Sequence, residues 1–225
     1  MDAADRHGGI LVSDFDGTIT QHDFFRLVVD VLQPNNTADY WEEYRVGRKT
    51  HFEALQAIFA EIRVDEPALL DLLRQLNPDP ELAPLVAALR AAGWEVIVAS
   101  AGCAWYIRRV LKERNLTLKV HANPGQFVPG RGLRMELPRT SPFFSPTHGI
   151  DKAAVVRETR QTGRHVAFAG DGYPDVEAAA LVVPELRFAR ADLARALSES
   201  GLAFRPFEQW ADVARSLLRR SATSR

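Results

Sequence analysis

The stretch GILVSDFDGTIT, residues 9–20, starts as an apolar run and ends in two aspartates and a glycine, as a buried parallel strand does where it meets a loop. Asp14 then stands at the carboxyl end of a strand. Leu82, Leu85, Val86 and Leu89 recur at helical spacing, Gly93 stops that helix, and WEVIVAS at residues 94–100 reads as a second buried strand. A helix from Asp151 to Gly163 leads into HVAFAG at residues 165–170, and ELRFA at residues 185–189 reads as a further strand. Helices alternating with apolar strands imply an α/β fold with a parallel sheet. Ligands of such sheets collect beyond the carboxyl ends of the strands, where Asp14, Ser100 and Asp171 can meet.

Residues 22–77 interrupt this alternation with helical periodicity and little strand character. Phe52, Leu55, Ile58, Phe59 and Ile62 form one apolar stripe, and Thr50 with Glu53 has capping-box spacing. The expected organisation is therefore a core of residues 1–21 and 78–225, with residues 22–77 as a small helical cap inserted after the first strand. Within the irregular stretch 123–149, VPGRGLRMEL at residues 128–137 has the composition of a hairpin, and SATSR at residues 221–225 is expected to fray.

A hydrophobic content of 46% suits a sizeable core, and a net charge of -1 gives no general field to hold a polyanion. No local basic patch stands out apart from Arg219 and Arg220, so a nucleic-acid partner is not expected. No apolar run approaches the ~20 residues that span a bilayer, the first residues lack a secretory layout, and the single Cys103 cannot form an internal disulfide. The expectation is a cytoplasmic protein without a membrane role, its oligomeric state open between monomer and homodimer.

The sharpest chemistry lies in DFDGTIT, residues 14–20. Carboxylates two residues apart on extended backbone point the same way, so one can attack phosphorus while the other protonates the leaving oxygen and later activates water. A bare Asp-x-Asp reads more readily as an acidic turn with Asp16 capping a helix, and the full string after a buried strand reverses that preference. GDGYPD at residues 170–175 puts Asp171 and Asp175 near one loop, where hard oxygen ligands suit magnesium, although a glycine turn before an aspartate cap has the same spelling. Ser100, Ala101 and Gly102 follow the second strand and lead toward a helix beginning near Cys103, a setting for a phosphate cradle or simply a serine cap. Lys152 can neutralise a phosphate and Asp14, though an isolated lysine is usually a surface residue.

The order DFDGTIT, Ser100, Lys152, GDGYPD resembles the haloacid-dehalogenase-like phosphohydrolase superfamily. That resemblance implies a Rossmann-like core and a phosphatase dependent on Mg2+ that acts on a small phosphorylated metabolite. It implies that Asp14 is the phosphorylated nucleophile, Asp16 the general acid/base, Ser100, Ala101, Gly102 and Lys152 the phosphate-binding groups, and Asp14, Asp171 and Asp175, with the Asp16 carbonyl, the metal site. An all-helical insertion after the first motif resembles the cap of the phosphoserine-phosphatase-like branch, and it implies a closing pocket whose substrate contacts come from residues such as Phe24, Phe25, Tyr40, Trp41, Tyr44 and Arg45, with His148 reaching in from the loop before Lys152. The tail, GDGYPDVEAA, LRFARADLARAL and FRPFEQW, is similar to phosphatases of methionine salvage that act on 2-hydroxy-3-keto-5-methylthiopentenyl-1-phosphate. The chain departs from them in having no cysteine in SPTHGIDK, residues 145–152, and Ala101 where they usually have glycine.

Other substrates fit the same chemistry: phosphoserine, a sugar phosphate or a cofactor phosphate. A dehalogenase is disfavoured by the presence of Asp16, Asp171 and Asp175. A phosphate-responsive receiver or binding module using Asp14 and Lys152 without turnover is the alternative outside enzymology.

Overall fold

The computed structural model describes residues 8–33 and 39–223. In chain order the elements are β1 (Gly9–Ser13), α1 (Phe24–Leu27), α2 (Tyr40–Arg45), α3 (His51–Ala60), α4 (Glu66–Arg74), α5 (Leu82–Ala91), β2 (Glu95–Cys103), α6 (Ala104–Glu113), β3 (Lys119–Asn123), β4 (Gly125–Val128), β5 (Gly132–Met135), β6 (Phe144–Ser145), β7 (Gly149–Ile150), α7 (Lys152–Arg160), β8 (His165–Gly170), α8 (Val176–Ala180), β9 (Arg187–Ala189), α9 (Ala191–Glu199), β10 (Arg205–Pro206) and α10 (Trp210–Thr223). Six strands form one parallel sheet in the order β10-β9-β8-β1-β2-β3. The chain winds outward from β1 through β2 to β3, then returns to β8 on the other side of β1. The strand order reverses at β1 and β8, and ligands of open α/β sheets bind beyond the strand ends at such a reversal.

Alternation along the strands decides what each sheet face meets. Leu11, Val96, Val98, Ala167 and Ala169 join the apolar cluster of one face, together with Trp105 and Ile107 of α6 and Trp210 of α10. Ile10, Val12, Ile97, Ala99, Val166 and Phe168 point the other way, against Val155 and Val156 of α7 and Leu193 and Leu197 of α9. Both faces are covered, so the strands read as continuous apolar runs rather than alternating ones. The helices between β1 and α5 share the first cluster: Phe24, Phe52, Leu55, Phe59 and Leu69 are contiguous with the sheet's side chains. Thr50 caps α3 in a full capping box with Glu53, at the position their spacing predicts.

The hairpin expected from VPGRGLRMEL is formed by β4 and β5, antiparallel, with Val128 opposite Gly132. Three local readings are corrected. The second strand runs past Ser100 to Cys103, with a register shift between Ala99 and Cys103, so Ser100–Gly102 are strand residues and the helix begins at Ala104. Ser221 does not fray: it is buried inside α10, where its hydroxyl accepts from Trp94 Nε1 at 3.0 Å; Arg219 and Arg220 lie in the same helix, and residues 224 and 225 lie outside the described residues. The strand read from ELRFA is shorter, with Pro184–Leu186 in a 3-10 turn. Among the described residues no helix is long and apolar enough to cross a membrane.

Candidate active site

The loop after β1 is an extension of its ladder. The Asp14 amide donates to the Ala169 carbonyl of β8 at 2.9 Å, which fixes its backbone against the neighbouring strand. Its side chain is buried; Oδ1 accepts from the Phe15 amide at 2.7 Å and Oδ2 pairs with Lys152 Nζ at 2.8 Å. Lys152 is the first residue of α7 and is itself only 5% exposed, held by Asp14 on one side and by Asp175 Oδ1 at 2.6 Å on the other. Burial by itself would lower the Lys152 pKa, but those two carboxylates outweigh it and hold the ammonium charged.

Asp171 closes the cluster. Its carboxylate accepts from Thr18 Oγ1 at 3.0 Å, and carboxylate oxygens of Asp14, Asp171 and Asp175 lie within 4.8 Å of one another. Burial, then Asp175 and Asp23, push Asp171 up to about 8, against the pull of Lys152 and Thr18. Burial raises Asp14 as well, Lys152 opposes it, and Asp175 and Asp171 add to the rise. Three carboxylates around one ammonium leave the cluster deficient in positive charge, and its donors are all hard oxygens. A divalent cation of the magnesium type fits that donor set.

The three acids are not equivalent. Asp175 Oδ2 accepts from the amides of Asp171 and Gly172, both at 3.0 Å, and Oδ1 holds Lys152. Its acceptor capacity is largely committed to shaping the loop and positioning the lysine. Asp14 and Asp171 retain the most capacity toward a cation.

Asp16 is sent elsewhere. Its Oδ1 accepts from the Phe24 amide at 3.0 Å, and its Oδ2 takes a short hydrogen bond from the Tyr106 hydroxyl on α6. Burial, partly offset by that hydroxyl, and repulsion from Asp23 bring Asp16 up to about 7. Glycines make the approaches possible. Gly17 has φ +67°, and a Cβ there would stand 2.3 Å from Asp171 Oδ2. A Cβ on Gly102 would fall 1.9 Å from the Tyr106 hydroxyl oxygen and 3.0 Å from Asp16 Oδ2.

Asp14, Asp16, Ser100, Ala101, Gly102, Lys152, Asp171 and Asp175 all line one cavity of about 360 Å³. Ser100 Oγ accepts from the Gly102 amide at 3.0 Å, so serine and strand backbone form one turn-like rim. Phe25, Trp41 and Tyr44 line the same cavity from the helical insertion. Three expected contacts do not. Tyr40 lies outside the cavity lining, its ring 5.8 Å from the Lys49 ammonium. Phe24 is fully buried, packed on Phe59 and Tyr106, and offers the site only its backbone amide. Arg45 is exposed and pairs with Glu42 at 3.0 Å, away from the cavity. His148 borders an adjoining cavity that shares Lys152, Tyr44 and Tyr173. Cys103 is buried and its thiol is pushed up to about 12 by burial, which removes it as a nucleophile. Tyr106, Thr18, His51 and Arg190 line or brace the site without having been read from the sequence.

The haloacid dehalogenase-like hydrolase model matches residues 11–180, about three-quarters of the chain. A 2-hydroxy-3-keto-5-methylthiopentenyl-1-phosphate phosphatase of Exiguobacterium sibiricum is 25% identical over 211 residues, 90% of this chain and 93% of that one. Among solved structures, a probable phosphoserine phosphatase from Vibrio cholerae aligns with TM-score 0.68 at 19% identity, over 96% of this chain and 66% of that one. This chain thus spans about two-thirds of that protein's length. A phosphoserine phosphatase from T. onnurineus aligns with TM-score 0.64 at 21% identity, over 97% and 98%. At these identities the structural likenesses carry the fold. The chain belongs to the haloacid dehalogenase-like hydrolase family.

Proposed function

We propose that the chain hydrolyses a small phosphorylated metabolite in two displacements through an aspartyl phosphate on Asp14. The observation that carries this reading is the division of labour within one loop: Asp14 is turned into the lysine and carboxylate cluster, while Asp16, two residues on, is held apart by Tyr106 and the Phe24 amide. Two neighbouring carboxylates in unlike surroundings can take unlike roles.

In the first displacement an Asp14 oxygen bonds to phosphorus as the bond from phosphorus to the leaving oxygen breaks, and Asp16 gives its proton to that oxygen. In the second, Asp16 takes a proton from water as the water oxygen attacks phosphorus, releasing inorganic phosphate and restoring Asp14. A pKa near 7 suits a group that must give and take a proton in one cycle. Lys152 holds the phosphoryl oxygens, with the hydroxyl of Ser100 and the amides of Ala101 and Gly102 around them; charge spreads over these oxygens in the transition state. Magnesium held by Asp14, Asp171 and the Asp16 carbonyl would offset the repulsion between nucleophile and phosphate. Residues 22–77 act as the cap that walls the cavity from water. The relative from Exiguobacterium makes a methionine-salvage-type phosphosugar the first substrate to test, beside phosphoserine, sugar phosphates and cofactor phosphates.

The test is phosphate release from such a panel, ranked by kcat/KM. Sustained release with magnesium and its fall to background in EDTA, restored by added magnesium, is expected. Release unchanged by EDTA overturns the metal assignment, and stoichiometric uptake without turnover would favour a receiver.

Gly102→Ala probes the acid/base without replacing either carboxylate. The new methyl collides with the Tyr106 hydroxyl and so loosens its bond to Asp16. General acid/base catalysis is worth about 10²–10⁴-fold. A fall in kcat of at least about tenfold is expected, with smaller loss for esters whose leaving group needs no proton, such as 4-nitrophenyl phosphate. An equal fall for both ester types speaks against the pairing of Tyr106 with Asp16 as a catalytic device.

A further inference from the structure

His51 opens α3 at the back of the cavity that holds Asp14, Asp16 and Lys152. It is 7% exposed, and its Nδ1 is buried without a hydrogen-bond partner. Its ring is enclosed by other rings: Trp41 at 5.4 Å and Tyr44 at 5.2 Å, both edge-on, and His148 at 5.4 Å. A buried polar group left unsatisfied costs about 1–3 kcal/mol, which a leucine at this place would avoid. Burial, His148 and Lys152 keep the imidazole neutral, with a pKa of about 3. A neutral imidazole has one donor and one acceptor to offer.

The wall beside it is largely aromatic and aliphatic. Phe25 and Trp41 stack at 4.0 Å between centroids with their planes 22° apart, and Leu55 and Phe59 continue the surface. Besides Lys152, two cations line the same cavity: Arg26 pairs with Asp23 at 3.2 Å, and Arg190 donates to the neutral Glu208 carbonyl at 2.8 Å. An uncharged polar group on the leaving-group half would meet His51 on this wall.

Resting on the phosphatase reading above, we propose that His51 determines specificity by hydrogen-bonding an uncharged hydroxyl or carbonyl on the leaving-group half of the substrate, whose apolar part packs against Phe25 and Trp41. A site built to hydrogen-bond such a group discriminates against the analogue lacking it, because the protein's polar atom is then left buried and unpaired.

The matched probes are n-butyl phosphate and 2-hydroxybutyl phosphate, which differ by one hydroxyl. The wild type is expected to favour the hydroxylated ester by at least about tenfold in kcat/KM. His51→Leu should erase that preference, chiefly through KM, while hydrolysis of n-butyl phosphate stays within about twofold; His51→Gln, which keeps a neutral donor and acceptor, should retain part of it. No preference in the wild type, or an equal loss on both esters in His51→Leu with His51→Gln no better, overturns the proposal and leaves the phosphatase reading standing. A wild-type chain that hydrolyses no ester of either kind, nor any on the wider panel, overturns both.

Discussion

Asp14→Asn leaves a folded protein that releases no phosphate. The amide is nearly isosteric with the carboxylate, and its oxygen can still accept from the Phe15 amide. Lys152 keeps its 2.6 Å partner in Asp175, so the buried ammonium is not orphaned. What is lost is the negative oxygen that bonds to phosphorus, and with it one of the charges a cation needs at this cluster. Loss of a nucleophile removes the pathway itself, so a decrease of at least about 10⁴-fold in kcat is expected. Acid quenching during turnover of a phosphate-labelled ester should trap label on the wild-type protein and none on the variant. Turnover within tenfold of wild type would remove Asp14 from the nucleophile's role.

Asp14 was legible because its signal is local: an apolar run has to end where the carboxylate begins, and the next residues are those of a tight turn. The same holds for WEVIVAS and HVAFAG. β3 and β10 carry no such signal, since KVHAN is half polar and β10 is two exposed residues; they exist because sheet neighbours offer their ladders. Phe24 and Phe25 show the limit of periodicity. Four residues of α1 run directly into a π-helical segment, Val28–Leu32, so no 3.6-residue phase tells which ring faces the core and which the cavity. Tyr106 sits on the apolar face of α6 and spells core, yet its hydroxyl meets Asp16, 90 residues earlier in the chain. His51 begins the apolar stripe of α3 and likewise acquires its significance only from rings on other segments. Motif order along the chain located the acids, but which acid is free toward a cation and which is spent on Lys152 depends on hydrogen bonds that spacing does not encode.

Lys152→Met is expected to reduce both stability and turnover. The ammonium is buried between Asp14 and Asp175, and deleting one partner of a buried ion cluster costs about 3–5 kcal/mol because the remaining charges lose their compensation. Denaturant unfolding in EDTA should show that loss, and it should depend on pH. Asp171 already has a folded pKa of about 8 against an ordinary value of 3.8, and Asp14 is raised in the same direction. Between the unfolded and folded values the native state binds more protons, so stability falls as pH rises through that window and levels off above it. Removing Lys152, which opposes both shifts, widens the window and deepens the fall. The variant's deficit should therefore be larger at pH 8 than at pH 5. Magnesium should recover part of it, since a ligand at about 100 times its Kd stabilises by about 2.7 kcal/mol. Turnover should stay depressed even then, because the cation cannot also replace the donor that holds the phosphoryl oxygens. A variant as stable as wild type in EDTA at pH 8 would mean that the three carboxylates do not depend on Lys152, and the charge argument for the site would fail with it.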